Sequence, residues 1–243
     1  MTHLSVNINK VALLRNSRGG NTPDVAAFAE KCLNYGAHGI TLHPRPDQRH
    51  ARYQDVAELN DLVFKHGSEL NVEGNPTPDF LQVVKQVRPA QCTLVPDSPD
   101  QLTSDHGWAL DRDGERLKPI LRDLKDLGIR VSLFMDVDSK HLGIAKEIGA
   151  DRIELYTEPY AKSYSTPKQA QVLSDFRNAA TEAQSLGLGV NAGHDLSLKN
   201  LGDFLTIPEI LEVSIGHALI AECLDLGLEK TIKAYLEIID NKG

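Results

Sequence analysis

Cysteine pairs, basic stripes and long apolar runs are all missing from this chain of 243 residues. No apolar stretch approaches the roughly 20 residues that a bilayer span requires. The opening MTHLSVNINK enters a strand pattern directly, without the basic segment, apolar run and cleavage site of a signal peptide, and the expected location is the cytoplasm. Only three cysteines occur, Cys32, Cys92 and Cys223, widely spaced and outside any C-x-x-C or Cys/His pattern. That excludes a disulfide framework and reads as small buried hydrophobes in a reducing compartment. With 26 Lys and Arg against 34 Asp and Glu, the formal charge is −8. The cations are scattered, so nucleic acid and anionic membrane are not expected partners. Any anion must be held by a local site. Also absent are an H-x-H or H-E-x-x-H pair for a metal and a G-x-G-x-x-G turn after the first strand.

What is present is an ordinary globular composition, 41% hydrophobic and 25% charged, able to bury a substantial core. Short apolar or β-branched runs alternate with longer amphipathic ones from end to end. The strand candidates are LSVNIN (4–9), GITLHP (39–44), ELNVEG (69–74), QCTLVP (91–96), RVSLFMD (130–136), RIELYT (152–157), GVNAGH (189–194) and LEVSIGH (211–217). Between them, segments such as DVAAFAEKCLNYG and TPKQAQVLSDFRNAATEAQSLG place apolar residues at i, i+3, i+4 and i+7. Several close on glycine, at Gly36, Gly128, Gly149 and Gly187, as helix C-termini do. Eight β/α units in this length, with no glycine-rich first turn, predict a single (β/α)8 TIM barrel domain over 1–243. In such a barrel the active site lies where strands end and helices begin.

The expected strand ends carry Asn7, Asn9 and Lys10; His43 and Arg45; Glu73; Asp136; Glu154; Asn191 and His194; and Gly216 with His217. Three histidines and a glutamate gathered at one face suit general acid/base chemistry near neutrality, because imidazole titrates there and a shielded carboxyl is tuned upward. The same groups suit a divalent metal, so that alternative stays open. Arg15 and Arg18 after the first strand, and Arg45 and Arg49 after the second, are forks suited to phosphate or carboxylate. The NAGH and SIGH endings add glycines where backbone N–H groups approach a ligand closely, after strands seven and eight, a frequent phosphate site in barrels. Two anionic groups are therefore expected on the substrate side. The stretch 97–115, DSPDQLTSDHGWALDRDGE, lacks periodicity and reads as a lid loop after strand 4, with Trp108 and Leu110 to dock it.

The series VNINKVALLRNSRGG, GITLHPRPDQRH, LNVEGNP, TLVPD, IELYT, VNAGH and IGHALI resembles, in order and across the whole chain, the strand-end motifs of the pyridoxine 5′-phosphate synthase family. The resemblance implies a barrel that condenses 1-deoxy-D-xylulose 5-phosphate with 3-amino-2-oxopropyl phosphate to pyridoxine 5′-phosphate, phosphate and water, without metal or organic cofactor, as a homo-octamer built from dimers. By motif position, His43 corresponds to a proton acceptor, Glu73 to a second acid/base, His194 to the group assisting phosphate departure and Glu154 to a carboxylate stabilising the transition state. Asn7, Arg18, Gly216 and His217 correspond to contacts with the aminoketone phosphate. Arg45, His50 and Thr103 correspond to contacts with the deoxyxylulose phosphate. Two positions depart from the family pattern: Asn9 and Lys10 replace an Asp-His pair in the deoxyxylulose-phosphate site, and Asp195 stands where glycine is common, so that its backbone N–H faces phosphate while its side chain points away. Two rival readings remain on residues alone: a metal-dependent barrel hydrolase or isomerase of a sugar phosphate, and a non-catalytic protein that binds phosphorylated ligands.

Overall fold

The computed structural model describes residues 1–98, 101, 103–138 and 140–242. Eight parallel strands close into a barrel in sequence order, β1 (His3–Asn7), β2 (Gly39–Leu42), β3 (Glu69–Gly74), β4 (Gln91–Leu94), β5 (Arg130–Met135), β6 (Arg152–Tyr156), β7 (Gly189–Gly193) and β8 (Ile210–Ile215). The seam is the parallel β1–β8 pairing, with Leu4 opposite Val213 and Val6 opposite Ile215. Around the barrel run α1 (Asn9–Asn16), α2 (Val25–Asn34), α3 (Tyr53–Lys65), α4 (Pro78–Val87), α5 (Leu110–Asp126), α6 (Leu142–Glu147), α7 (Glu158–Ser163), α8 (Gln169–Ser185), α9 (Leu201–Phe204), α10 (His217–Leu226) and α11 (Leu228–Asp240). This is the expected (β/α)8 TIM barrel.

Local chemistry explains the boundaries. Asp24 accepts the Ala27 N–H at 2.8 Å ahead of α2, and Thr77 caps α4 with Pro78 in its first turn, each satisfying a donor that the helix itself leaves unpaired. At the other ends, Gly36 and Gly149 take φ of 105° and 100°, a region that a Cβ disfavours.

The strands alternate apolar and polar because the barrel has two unlike faces. Leu4 and Val6, Ile40 and Leu42, Leu70 and Val72, and Leu133 and Leu155 are buried in the main apolar core. The intervening positions form a polar lumen in place of the branched aliphatic layers usual in such barrels. Ser5 and Thr41 share a hydrogen bond of 2.6 Å, and Thr93 donates to Asn71 at 3.0 Å. Lower in the lumen, Gln91 and Asn191 both donate to Glu212, while Arg130 and Arg152 donate to Gln91 and Asn191 at 2.8 and 3.1 Å. Buried polar groups must be paired to be tolerated, and these pair with one another.

Two expectations are corrected. The first strand ends at Asn7, and Asn9 and Lys10 open a helix. There the Asn9 N–H donates to Asn7 Oδ1 at 3.0 Å, turning the chain into a segment rich in Ala, Leu, Lys and Arg, all good helix formers. The non-helical segment after β4 is also shorter than 97–115, because α5 begins at Leu110 with Asp111 and Asp113 in its first turn, where carboxylates favour a helix N-terminus. Trp108 does dock, donating its indole N–H to the Leu94 carbonyl at 2.8 Å and its backbone N–H to Phe134 at 2.9 Å. Of this segment Thr103, a predicted contact, is described and exposed, while positions 99, 100 and 102 lie outside the described residues.

Candidate active site

The carboxyl ends of the strands surround a cavity of about 460 Å³. Its wall contains His43, Glu73, Glu154 and His194 together with Asn7, Asn9, Lys10, Arg45, His50, Thr103, Asp195, Gly216 and His217. Every residue to which the family pattern gives a role, Arg18 excepted, is thus brought to one place, whereas the strand-end candidates Asp136 and Asn191 are not in this wall. Arg18 stands exposed beyond the end of α1 and is not part of this wall.

Each central group is fixed from a different strand. Glu73, next to last in β3, receives the Asn7 amide from β1 at 3.4 Å. His43 follows β2, and its backbone N–H donates to the Asn9 side chain at 2.9 Å. Asn9 is therefore committed to holding β2 against α1, a task that an amide oxygen performs as well as a carboxylate. Glu154 projects from the middle of β6 into space left by Gly193, where a Cβ would overlap Glu154 Oε1. Its other oxygen is buried and has no hydrogen-bond partner among the described residues. An acceptor desolvated without a partner costs about 1–3 kcal/mol, and a ligand in the cavity would relieve that cost.

His194 follows β7 in a strained backbone, φ 80°, with Asp195 at φ 59°. Residues other than glycine seldom adopt this region. The turn is held by the Thr157 hydroxyl, which donates to the carbonyls of Gly193 and His194. The imidazole lies against Phe134 and Tyr156, with centroids 5.1 and 5.3 Å away. His50 approaches His43 edge-on at 6.0 Å, and a Cβ at Gly216 would stand only 3.1 Å from Asn7 Cβ, a tight approach that glycine relieves.

Desolvation dominates the electrostatics. Burial, reinforced by the negative charges of Asp97 and Glu212, raises the Glu73 carboxyl from 4.5 to about 8. Burial, with Glu73 and Glu212 nearby, holds Glu154 well above the carboxylate range. The imidazoles move the other way. Burial lowers His194 to about 4 and His50 to about 4, the latter helped by Arg45 and Arg49. His43 is pushed well below its ordinary value by burial and by Arg45. Near neutrality the cavity therefore offers neutral imidazoles as proton acceptors and carboxyl groups that still carry protons, the complementary states that proton shuttling needs.

The arginine reading needs correction at one position. Arg15 is not an anion fork, being 2% exposed and paired with Asp55 through contacts of 2.8 and 2.9 Å. Asp55 also accepts the Arg52 N–H at 2.8 Å, so this pair clamps α1 to the first turn of α3. Arg45 does sit in the wall but is already paired with Asp97 and donates to the Gln101 carbonyl at 2.9 Å. Arg49 lines the wall and pairs with Asp47 at 2.6 Å.

Sequence reasoning passed over Asp97, Tyr156, Glu158, Ser104, Ser214 and Glu212. Tyr156 and Ser214 had a signal, since they share the inward face of β6 and β8 with Glu154 and Glu212. Among the described residues no three His, Cys, Asp or Glu side chains converge as a metal site, and no helix is long and apolar enough to cross a membrane.

Comparison with known proteins finds relatives over nearly the whole chain. The family described as "Pyridoxal phosphate biosynthesis protein PdxJ" matches residues 4–241. A pyridoxine 5′-phosphate synthase of Xanthomonas campestris pv. campestris is 54% identical over 246 aligned positions, covering 98% of this chain and 96% of that protein. One from Xylella fastidiosa is 51% identical over 248, covering 99% and 95%. Among solved structures, a thiamine phosphate pyrophosphorylase from Pyrococcus furiosus superimposes with a TM-score of 0.62 at 14% identity, covering 99% of this chain and 96% of that one. At that identity it speaks to the barrel alone.

Proposed function

The chain belongs to the family of pyridoxal phosphate biosynthesis protein PdxJ, and on that premise we propose that its barrel mouth joins 1-deoxy-D-xylulose 5-phosphate to 3-amino-2-oxopropyl phosphate, releasing pyridoxine 5′-phosphate, inorganic phosphate and water. It is thus an enzyme of vitamin B6 biosynthesis. The observation that carries the reading is the convergence of His43, Glu73, Glu154 and His194 on one cavity whose remaining wall supplies Lys10, Arg45, His50 and His217.

The chemistry needs repeated proton transfer in one water-poor place. Forming an imine expels water from a carbinolamine and needs an acid at the departing oxygen. Glu73, protonated up to about pH 8, supplies it and then serves as base. His43, neutral and beside His50, accepts the proton removed on the way to the enamine. His194, packed between two rings, stands beside the departing phosphate. Glu154, 1% exposed, stabilises positive charge that develops on nitrogen once it has passed its proton to a reacting oxygen. Asn7, Gly216 and His217, with the Asp195 backbone, form the aminoketone-phosphate end, and Lys10, Arg45, His50 and Thr103 the sugar-phosphate end. Acid/base groups suffice for every step, so no cofactor is assigned. The whole chain acts as one domain in the cytoplasm, as a homo-octamer. Exposed Leu13 and Leu14 on α1, with Leu224 on α10, leave apolar surface that another copy would cover.

Incubating purified protein with both substrates tests the reading. A product with the mass and absorbance of pyridoxine 5′-phosphate is expected only when both are present. Its absence overturns the proposal.

A further inference from the structure

The Arg45 guanidinium is 4% exposed, yet it lines the cavity. A buried cation in this setting needs a counter-charge. That charge comes from Asp97, 5% exposed, three residues past the end of β4 and outside the cavity wall. Arg45 Nη2 pairs with Asp97 Oδ2. The same oxygen accepts the Ser104 hydroxyl at 2.7 Å. The Asn75 side chain, following β3, donates to the Asp97 carbonyl at 2.9 Å, and Arg45 Nη1 donates to the Gln101 carbonyl. One residue therefore joins the segments after β2, β3 and β4, its carboxylate holding Arg45 and Ser104 and its backbone carbonyl holding Asn75, and its Oδ1 is buried without a hydrogen-bond partner among the described residues. A side chain so placed touches no ligand directly.

We propose that Asp97 is a positioning residue for the sugar-phosphate end of the site: it fixes the Arg45 fork at the cavity wall and fastens Ser104, and with it the adjoining Thr103, to the same anchor. Pinning by a carboxylate leaves Arg45 with one edge for a substrate phosphate and fixes its direction, which a bidentate contact requires. The arrangement has a second consequence. Glu73 is faced by Asp97 and Cys92 from β4 and its following segment, Glu212 from β8, Glu154 from β6, Arg45 from the β2 loop and the Asn7 amide from β1. Asp97 and Glu212 oppose its ionisation and Arg45 favours it. Removing the Asp97 charge therefore moves the Glu73 titration toward lower pH.

The inference rests on the proposed reaction, and its test is split so that the two fail separately. Glu73 is titrated by carbon-13 carboxyl NMR in substrate-free protein, and KM is measured for each substrate. Asp97→Asn is expected to lower the Glu73 midpoint by about one pH unit and to raise KM for the deoxyxylulose phosphate roughly tenfold, with KM for the aminoketone phosphate unchanged. Asp97→Glu is expected to recover most of both effects. If Asp97→Asn does not fold, Ser104→Ala carries the test, with a several-fold rise in the same KM and an unmoved Glu73 midpoint. An unmoved midpoint and unaltered KM values in folded Asp97→Asn, or an equal rise in both KM values, overturns the proposal. Absence of turnover in the unmutated enzyme counts against the reaction, and the Glu73 titration still decides the role of Asp97.

Discussion

Glu73→Gln separates the chemistry of the site from its effect on stability. In the folded protein the carboxyl titrates at about 8, against 4.5 for an ordinary glutamate. Between those values the native state holds a proton that the unfolded chain has released, so native stability falls as pH rises and the full penalty is present above pH 8. At about 1.4 kcal/mol per pH unit, the penalty grows by roughly 3 kcal/mol between pH 5 and pH 8. Glutamine keeps the shape, can still accept the Asn7 amide, and does not ionise. Glu73→Gln is accordingly expected to match the parent stability near pH 5 and to exceed it by roughly 3 kcal/mol at pH 8, while turnover drops by about two orders of magnitude or more. Urea denaturation of both proteins at the two pH values, followed by fluorescence of Trp108, measures the difference. A stability gap that does not change with pH refutes the claim that Glu73 is buried as the acid.

Three further outcomes follow from other parts of the structure. Arg15→Ala leaves Asp55 charged and buried, and is expected to lower stability by about 3–5 kcal/mol; a loss below about 1 kcal/mol in urea denaturation contradicts the clamp between α1 and α3. Gly193→Ala drives a methyl group into Glu154 Oε1, and displacement of that carboxyl is expected to reduce kcat about tenfold to a hundredfold, whereas an unaltered kcat removes Glu154 from the reaction. Because burial holds His43, His50 and His194 neutral, a phosphate dianion beside them raises their proton affinity. Binding of 3-amino-2-oxopropyl phosphate at pH 7.5, where a phosphate monoester is already mostly dianionic, is therefore expected to take up protons and to tighten as pH falls. Calorimetry in buffers of different ionisation enthalpy gives the count, and no uptake contradicts the assigned imidazole states.

The barrel was legible because the strands alternate apolar and polar residues and several helices close on glycine; all eight strands lie within two residues of the expected ends. The mouth was legible because strand termini converge in a barrel whatever the loops do, which placed His43, Glu73, Glu154 and His194 together. What escaped was set by contacts between segments distant in sequence. Arg15 looks like Arg45 in a linear reading, and only the packing of α1 on α3 shows that its fork is taken by Asp55. Asp97 read as part of a polar lid because its partner lies 52 residues away. The start of α1 was misplaced because Asn9 and Lys10 continue the polar spacing of the strand, while the turn depends on the Asn7 side chain.

The central claim is that the barrel mouth builds the pyridine ring by proton transfer among its own side chains. A single reaction containing both phosphorylated substrates and EDTA, with the pyridine chromophore and free phosphate recorded on the same time axis, tests it most directly. Equal amounts of pyridine product and inorganic phosphate, rising together and unaffected by the chelator, are predicted. Phosphate release without pyridine formation, or activity that appears only after a divalent metal is restored, contradicts the account.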